Sequence, residues 1–161
     1  MIGACRVWFH LPADSPRFRV LEADAADYVG DAQRAGSAQV LCVDLYDFDA
    51  ASPVLDSEAF YADCHRLLAD GGVMSVNLFG RDASFERSAQ RIAVAFGPAQ
   101  VFSLRPTKEG NTVVVALKQQ PLPDRDTLAT RADNIESRFG LPAKKWLRMI
   151  RPLASSAADL P

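Results

Sequence analysis

Two carboxylates three residues apart, Asp44 and Asp47 in VDLYDFDA, follow the most apolar run of the chain, QVLCVD at 39–44. Such a run suits a strand buried on both faces, and open α/β sheets place their ligand sites at the carboxyl ends of parallel strands. Carboxylates presented there, with Tyr46 and Phe48 beside them, can hold a cationic amine. If one takes up a proton, the amine is freed as a nucleophile. The bland alternative is a solvated turn in which the acids make local Asx hydrogen bonds. Asp24, in EADAADYV, closes an earlier strand-like segment. Its carboxylate can accept from an amino group such as the exocyclic amine of adenine, or simply cap the helix that follows. Asn77, in MSVNLFGR, ends the next apolar run, where it either orients a substrate or terminates a strand.

The elements that would position these residues are legible in the pattern. GACRVWFH at 3–10 reads as the end of a helix, with Trp8 and Phe9 as packing residues, and LPADSP breaks it. RFRVLEA at 17–23 is strand-like. A helix from Asp24 through ADYVGDAQRA is punctuated by Gly36 and Ser37. Residues 56–70 form a helix capped by Asp56 or Ser57, with Phe60, Cys64, Leu67 and Leu68 at helical spacing and Gly71 and Gly72 as its stop. VMSVNLF at 73–79 is a second buried strand, SFERSAQRIAVAF a helix, AQVFSLRP a strand, and NTVVVALK at 111–118 pairs with that strand antiparallel across the short connection TKEG. After the linker QPLPD, TLATRADNIESRFG is a helix ended by Gly140, and AKKWLRMIRPL is a second one; SSAADLP frays. Strand and helix alternation ending in a hairpin predicts an α/β layered sheet, mostly parallel, with an antiparallel edge.

The 161 residues, 48% hydrophobic and 24% charged, suffice for a core. A net charge of -2 gives no basic surplus for phosphates, so nucleic acid is not the expected partner. Lys144, Lys145, Arg148 and Arg151 recur at helical spacing and read as a solvated face. His10 and His65 lack partner motifs for a metal. Cys5, Cys42 and Cys64 are odd in number without metal-type spacing, which fits reduced thiols in the cytoplasm. No apolar run approaches the roughly 20 residues of a membrane span.

RFRVLEADAADYV, QVLCVDLYDFDA, AFYADCHRLLADGGV and SVNLF together resemble the aminopropyltransferases, the spermidine and spermine synthases, over about residues 1–118. The resemblance implies a Rossmann-like methyltransferase sheet, strands 3–7 of a seven-stranded sheet in the order 3-2-1-4-5-7-6 with the last strand antiparallel, and C-terminal helices. It divides the chain into a synthase-like domain at 1–120 and a helical extension at 121–161 packed on it. It implies transfer of an aminopropyl group from decarboxylated S-adenosylmethionine to a polyamine amine, releasing 5'-methylthioadenosine. A methyltransferase using S-adenosylmethionine on another substrate shares the fold. In that likeness Asp24, with Ala25 beside it, reads the adenine amine. Asp44 deprotonates the attacking amine, and Asp47, with Tyr46 and Asn77, binds it. Leu45, Tyr46 and Phe48 depart from the small residues usual around these acids, and Asn77 stands where many synthases have glutamine.

The likeness starts at the helix after the second strand of the sheet. The glycine-rich loop after the first strand and the acid ending the second lie outside it, as does the small N-terminal β domain. This leaves RFRVLEA without a neighbour and bares an edge of QVLCVD. The expected outcomes are a homo-oligomer, a noncatalytic remnant assembling through that edge, or RFRVLEA moved against QVLCVD.

Overall fold

The computed structural model describes residues 1–45, 57–79, 83–108 and 110–153. Its centre is a five-stranded sheet in the order β1-β2-β4-β3-β5. β1 (Ala38–Val43) runs parallel to β2 (Leu68–Phe79). β4 (Asn111–Leu117) is inserted antiparallel between β2 and β3 (Val101–Ser103), and the short β5 (Arg151–Pro152) closes the far edge against β3. The order of the first four strands and the antiparallel hairpin are those expected of the methyltransferase-like sheet. The antiparallel β4 nevertheless lies inside the sheet rather than at its edge, because it inserts between β2 and β3, and among the described strands only β1 and β2 pair in parallel.

β2 organises the core because it is hydrogen-bonded along both edges and alternates cleanly. Met74, Val76 and Leu78 are buried on one face, opposite Ala116, Val114 and Thr112 of β4. α3 (Glu58–Leu67) and α4 (Ala83–Phe96) pack against the sheet and against each other. α3 begins at Ser57, whose Oγ accepts from the Phe60 amide at 3.2 Å, and it buries Phe60, Tyr61, Cys64 and Leu67. α4 turns Ala89, Ile92 and Phe96 inward at helical spacing. Burial pushes the Cys64 thiol up to about 12, with Asp63 adding to it, so that sulfur is an inert packing group.

Several expectations are corrected. α3 stops at Leu67, short of the glycines, because Leu68 already pairs with Ala38 and begins β2. Gly71 and Gly72 therefore lie inside the strand. A Cβ on Gly72 would sit 2.8 Å from the carbonyl oxygen of Ala69, so the close backbone approach there demands glycine. The helix expected from Asp24 to Ala35 is two pieces, α2 (Ala25–Gly30) and a separate 3-10 turn at Ala32–Arg34, because the Asp31 carboxylate caps a new start by accepting from the Gln33 amide. Residues 17–23 form no strand. They neither lie along β1 nor pair elsewhere beyond an isolated bridge between Ser15 and Phe18, although the outer edge of β1 is unpaired among the described residues.

β1 is likewise not buried on both faces. It is the sheet's edge, with Val40 65% exposed and Cys42 exposed, and among the described residues nothing pairs with its outer side. α1 (Ile2–Trp8) buries none of its residues. Trp8 and Phe9 are about three-quarters exposed rather than packed on the sheet.

At the C-terminal side, α5 (Arg125–Phe139) is capped by Asp124 and ended by Gly140 in the left-handed conformation. α6 (Ala143–Met149) is shorter than the expected second helix, because the chain straightens at Ile150 to add β5 to β3. The last eight residues lie outside those described.

Beneath the sheet, the Lys118 ammonium is buried and donates to the Leu68 carbonyl at 2.7 Å, with Asp70 at 3.8 Å. His65 lies in the same region, its ring edge-on to Phe96. Burial holds its imidazole below the ordinary histidine range; Lys118 acts in the same direction and Asp70 opposes. The unfolded chain therefore takes up the proton more readily than the folded one. His65 contributes stability that is complete above the ordinary histidine pKa of about 6.5 and is lost as pH falls below it. Replacing His65→Gln is expected to flatten the fall in urea midpoint between about pH 7.5 and pH 5.5, whereas an unchanged slope would remove His65 as its source.

Candidate functional site

The parallel register sets the site. Val43 is opposite Val76, so the next residues along, Asp44 and Asn77, come side by side at the carboxyl ends of two neighbouring strands. Alternation turns both to the sheet face opposite Met74 and Val76. Asn77 Nδ2 donates to Asp44 Oδ1 at 3.1 Å. Asp44 is exposed and Asn77 half-buried, so the carboxylate is fixed in direction yet reachable. Two residues singled out by their positions at strand ends are thus joined by one hydrogen bond.

Beside this pair, on the other side of β1, is a cavity of about 330 Å³. Leu41, Val43 and Leu45 of the β1 side line one wall, and Asp24, Ala25 and Tyr28 the other, with Phe60 of α3 beneath. A volume near the lower end of the roughly 300–1,000 Å³ typical of small-ligand sites, mostly apolar with one carboxylate, Asp24, and one guanidinium, Arg19, suits a flat heterocycle with polar edge groups. Asp44 is not in this wall, but its chain neighbours Val43 and Leu45 are, so the strand end that carries the Asp44–Asn77 pair also borders the cavity.

Asp24 is the N-cap of α2. Its Oδ1 accepts from the amides of Ala26 at 2.7 Å and Asp27 at 3.3 Å. Both bonds fall on one oxygen, and Oδ2 has no partner among the described residues. The cap and the ligand role are therefore compatible: the amides orient the carboxylate, and its second oxygen remains an acceptor at the cavity wall. Asp24 does not sit at the end of a strand, as expected from the sequence, but at the start of a helix entered from irregular chain.

Tyr46, Asp47 and Phe48 lie outside the described residues. Tyr28, Arg19 and Phe60 were not singled out from the sequence. Tyr28 has the Arg34 guanidinium 4.3 Å from its ring centre, and nothing in local spacing distinguishes it from a packing residue. Among the described residues no group of three or more His, Cys, Asp or Glu side chains converges as a metal site would require. No helix among them is long and apolar enough to cross a membrane.

No family model matches the chain. Among curated proteins, it is 32% identical over 152 residues to the polyamine aminopropyltransferase of Chromobacterium violaceum, a match covering 94% of this chain and 57% of that protein. The chain thus spans a little over half the length of this relative. Among solved structures, it superposes on a spermidine synthase in complex with the transition state analogue AdoDATO at a TM-score of 0.63, with 23% identity over 91% of this chain and 57% of that one. It also matches human methyltransferase-like protein 13 in complex with SAH at a TM-score of 0.68, with 20% identity over 96% and 70% of the two chains. The structures establish the methyltransferase-like fold. The curated relative bears out the likeness to aminopropyltransferases read from the motifs, over nearly the whole chain.

The exposed pair and the buried strand beneath it should respond differently to truncation. Asp44→Ala and Asn77→Ala are expected to lower stability by no more than about 1 kcal/mol each, because their hydrogen bond is solvent-exposed. Met74→Ala, three residues earlier on the opposite face of β2 and fully buried, should cost about 2–5 kcal/mol. Urea titrations of the three variants check this; a large loss from Asn77→Ala would make that residue a structural clamp instead.

Proposed function

We propose that this chain carries the adenine-facing and amine-accepting parts of an aminopropyltransferase site, spermidine synthase-like in substrate and reaction. The Asp44–Asn77 hydrogen bond at adjacent parallel strand ends, next to a cavity walled by Asp24 and Ala25, is the observation that carries the reading. In it, Asp24 Oδ2 accepts from the exocyclic amine of the nucleoside, Ala25 leaves room beside it, and Tyr28 and Phe60 pack on the heterocycle. Asn77 holds the Asp44 carboxylate toward the acceptor amine, and Asp47 with Tyr46 binds the remainder of that amine.

The chemistry asked of these residues is one proton transfer and one displacement. The acceptor nitrogen attacks the aminopropyl carbon attached to the sulfonium of decarboxylated S-adenosylmethionine. A C–N bond forms, the C–S bond breaks, and its electron pair neutralises the sulfur, leaving 5'-methylthioadenosine as the thioether. Asp44 takes the proton lost by the nitrogen. The three unpaired thiols, one buried, suit a reducing, cytoplasmic setting.

A second reading is favoured by a different observation. The bared edge of β1, with Val40 and Cys42 exposed, and the unburied aromatic residues of α1 suit a noncatalytic, homo-oligomeric scaffold. A methyltransferase acting on another substrate through S-adenosylmethionine would use the same cavity, but the acidic pair suits an amine acceptor better.

Calorimetric titration with 5'-methylthioadenosine, paired with a transfer assay from decarboxylated S-adenosylmethionine to putrescine, tests the proposal. Saturable nucleoside binding that is lost in Asp24→Ala, and transfer that falls about 100-fold or more in Asp44→Asn with binding retained, are expected. A folded chain that binds no nucleoside, and sediments as an oligomer, would replace the enzyme reading with the scaffold.

A further inference from the structure

The structure assembles a second concave surface beside β3 and β5, lined by none of the residues of the first cavity. α5 and α6 lie against each other, fixed by Lys144, whose ammonium is 2.6 Å from Asp133 and whose amide donates to Glu136 at 2.9 Å. The segment after β3 is tied to the end of α6 by the Arg105 amide, which donates to the Met149 carbonyl at 3.2 Å. Between these elements runs a groove of about 950 Å³. The basic residues on α6 read from the sequence as a solvated face are joined there by Arg105 and Arg125, which no sequence period links to them.

Among the described residues the groove is lined by Arg105, Arg125, Lys144, Lys145, Arg148 and Arg151 against a single carboxylate, Asp133, in a chain whose net charge is -2. Lys144 is neutralised by Asp133 and Glu136, and Arg151 donates to the carbonyls of Arg148 and Ile150. Among the described residues, Arg105, Arg125, Lys145 and Arg148 have no carboxylate within the 4.0 Å that defines an ion pair. Four exposed cations that repel one another are gathered around half-buried Leu128, Leu147 and Met149. The occupant that satisfies both features is anionic and carries apolar side chains. Among the described residues no aromatic side chain lines the groove, so stacked bases find no platform there. Its apolar groups are recessed rather than projecting, which is the wrong shape for insertion into a lipid surface.

We propose that the groove between α5 and α6 docks an acidic, amphipathic peptide segment of a partner protein. Its carboxylates pair with Arg105, Arg125, Lys145 and Arg148, and its apolar side chains rest on Leu128, Leu147 and the adaptable Met149. The site is independent of the nucleoside cavity.

Fluorescence anisotropy with a labelled peptide of alternating glutamate and leucine tests this on the full chain, with poly-glutamate and single-stranded oligodeoxythymidine as competing probes. The alternating peptide should bind most tightly, weaken as salt is raised, and lose at least about tenfold in affinity on Arg148→Glu or Lys145→Glu. Both side chains are exposed, and circular dichroism checks that each variant folds; Arg148→Gln supplies a milder variant expected to lose several-fold. No binding by the wild-type chain, equal affinity in the variants, or tighter binding of the oligodeoxythymidine would each overturn the proposal.

Discussion

Everything described here hangs on the pairing of β2 with its two neighbours. Parallel to β1 on one side and antiparallel to β4 on the other, it fixes which residues face α3 and α4 and which face away. A slip of one residue would send Met74, Val76 and Leu78 out of the core, so burial specifies the register strongly. The same register, continued one residue past Val43 and Val76, puts Asp44 beside Asn77. The candidate site is thus a by-product of core packing: the strand is held by its buried face, and the chemistry is displayed at its end on the other.

Much of this could be read in the residues, and the limits have physical causes. Alternation and apolar runs located β4 and α4 to within a residue, and the end of β2 but not its start, which lies five residues earlier at Leu68. Ser57 and Gly140 marked helix ends by their own capping geometry. Failures fall where the environment, not the sequence, decides. RFRVLEA has the composition of a strand, but a strand exists only with a partner, and the segment does not pair with the open edge of β1. QVLCVD has the composition of a central strand, yet among the described residues it occupies an edge. Gly71 and Gly72 look like a helix stop, although Leu68 has already left α3 because its pairing with Ala38 prevails. At the site, Asp44 and Asn77 were visible from strand-end position alone, whereas Tyr28 and Phe60 became neighbours only through tertiary folding.

The bared edge and the site are coupled. Cys42 and Asp44 belong to the same strand end, so whatever pairs with the outer side of β1 will also border the cavity wall formed by Leu41 and Val43. Assembly through that edge and nucleoside binding would therefore influence each other, by ordering or obstructing the same wall. Charge is distributed unevenly: cations gather at the groove between α5 and α6, whereas the cavity beside β1 sets Asp24 against Arg19.

The central claim is that one strand register places an amine-directed acid beside a nucleoside cavity. Backbone and side-chain amide NMR of the chain during titration with 5'-methylthioadenosine addresses it most directly. The account predicts saturable shifts at residues 25–29 and 43–45 and at the Asn77 side-chain amide, with α5 and α6 unmoved. Shifts confined to α5 and α6, or an Asn77 amide indifferent to a nucleoside that plainly binds, would contradict it.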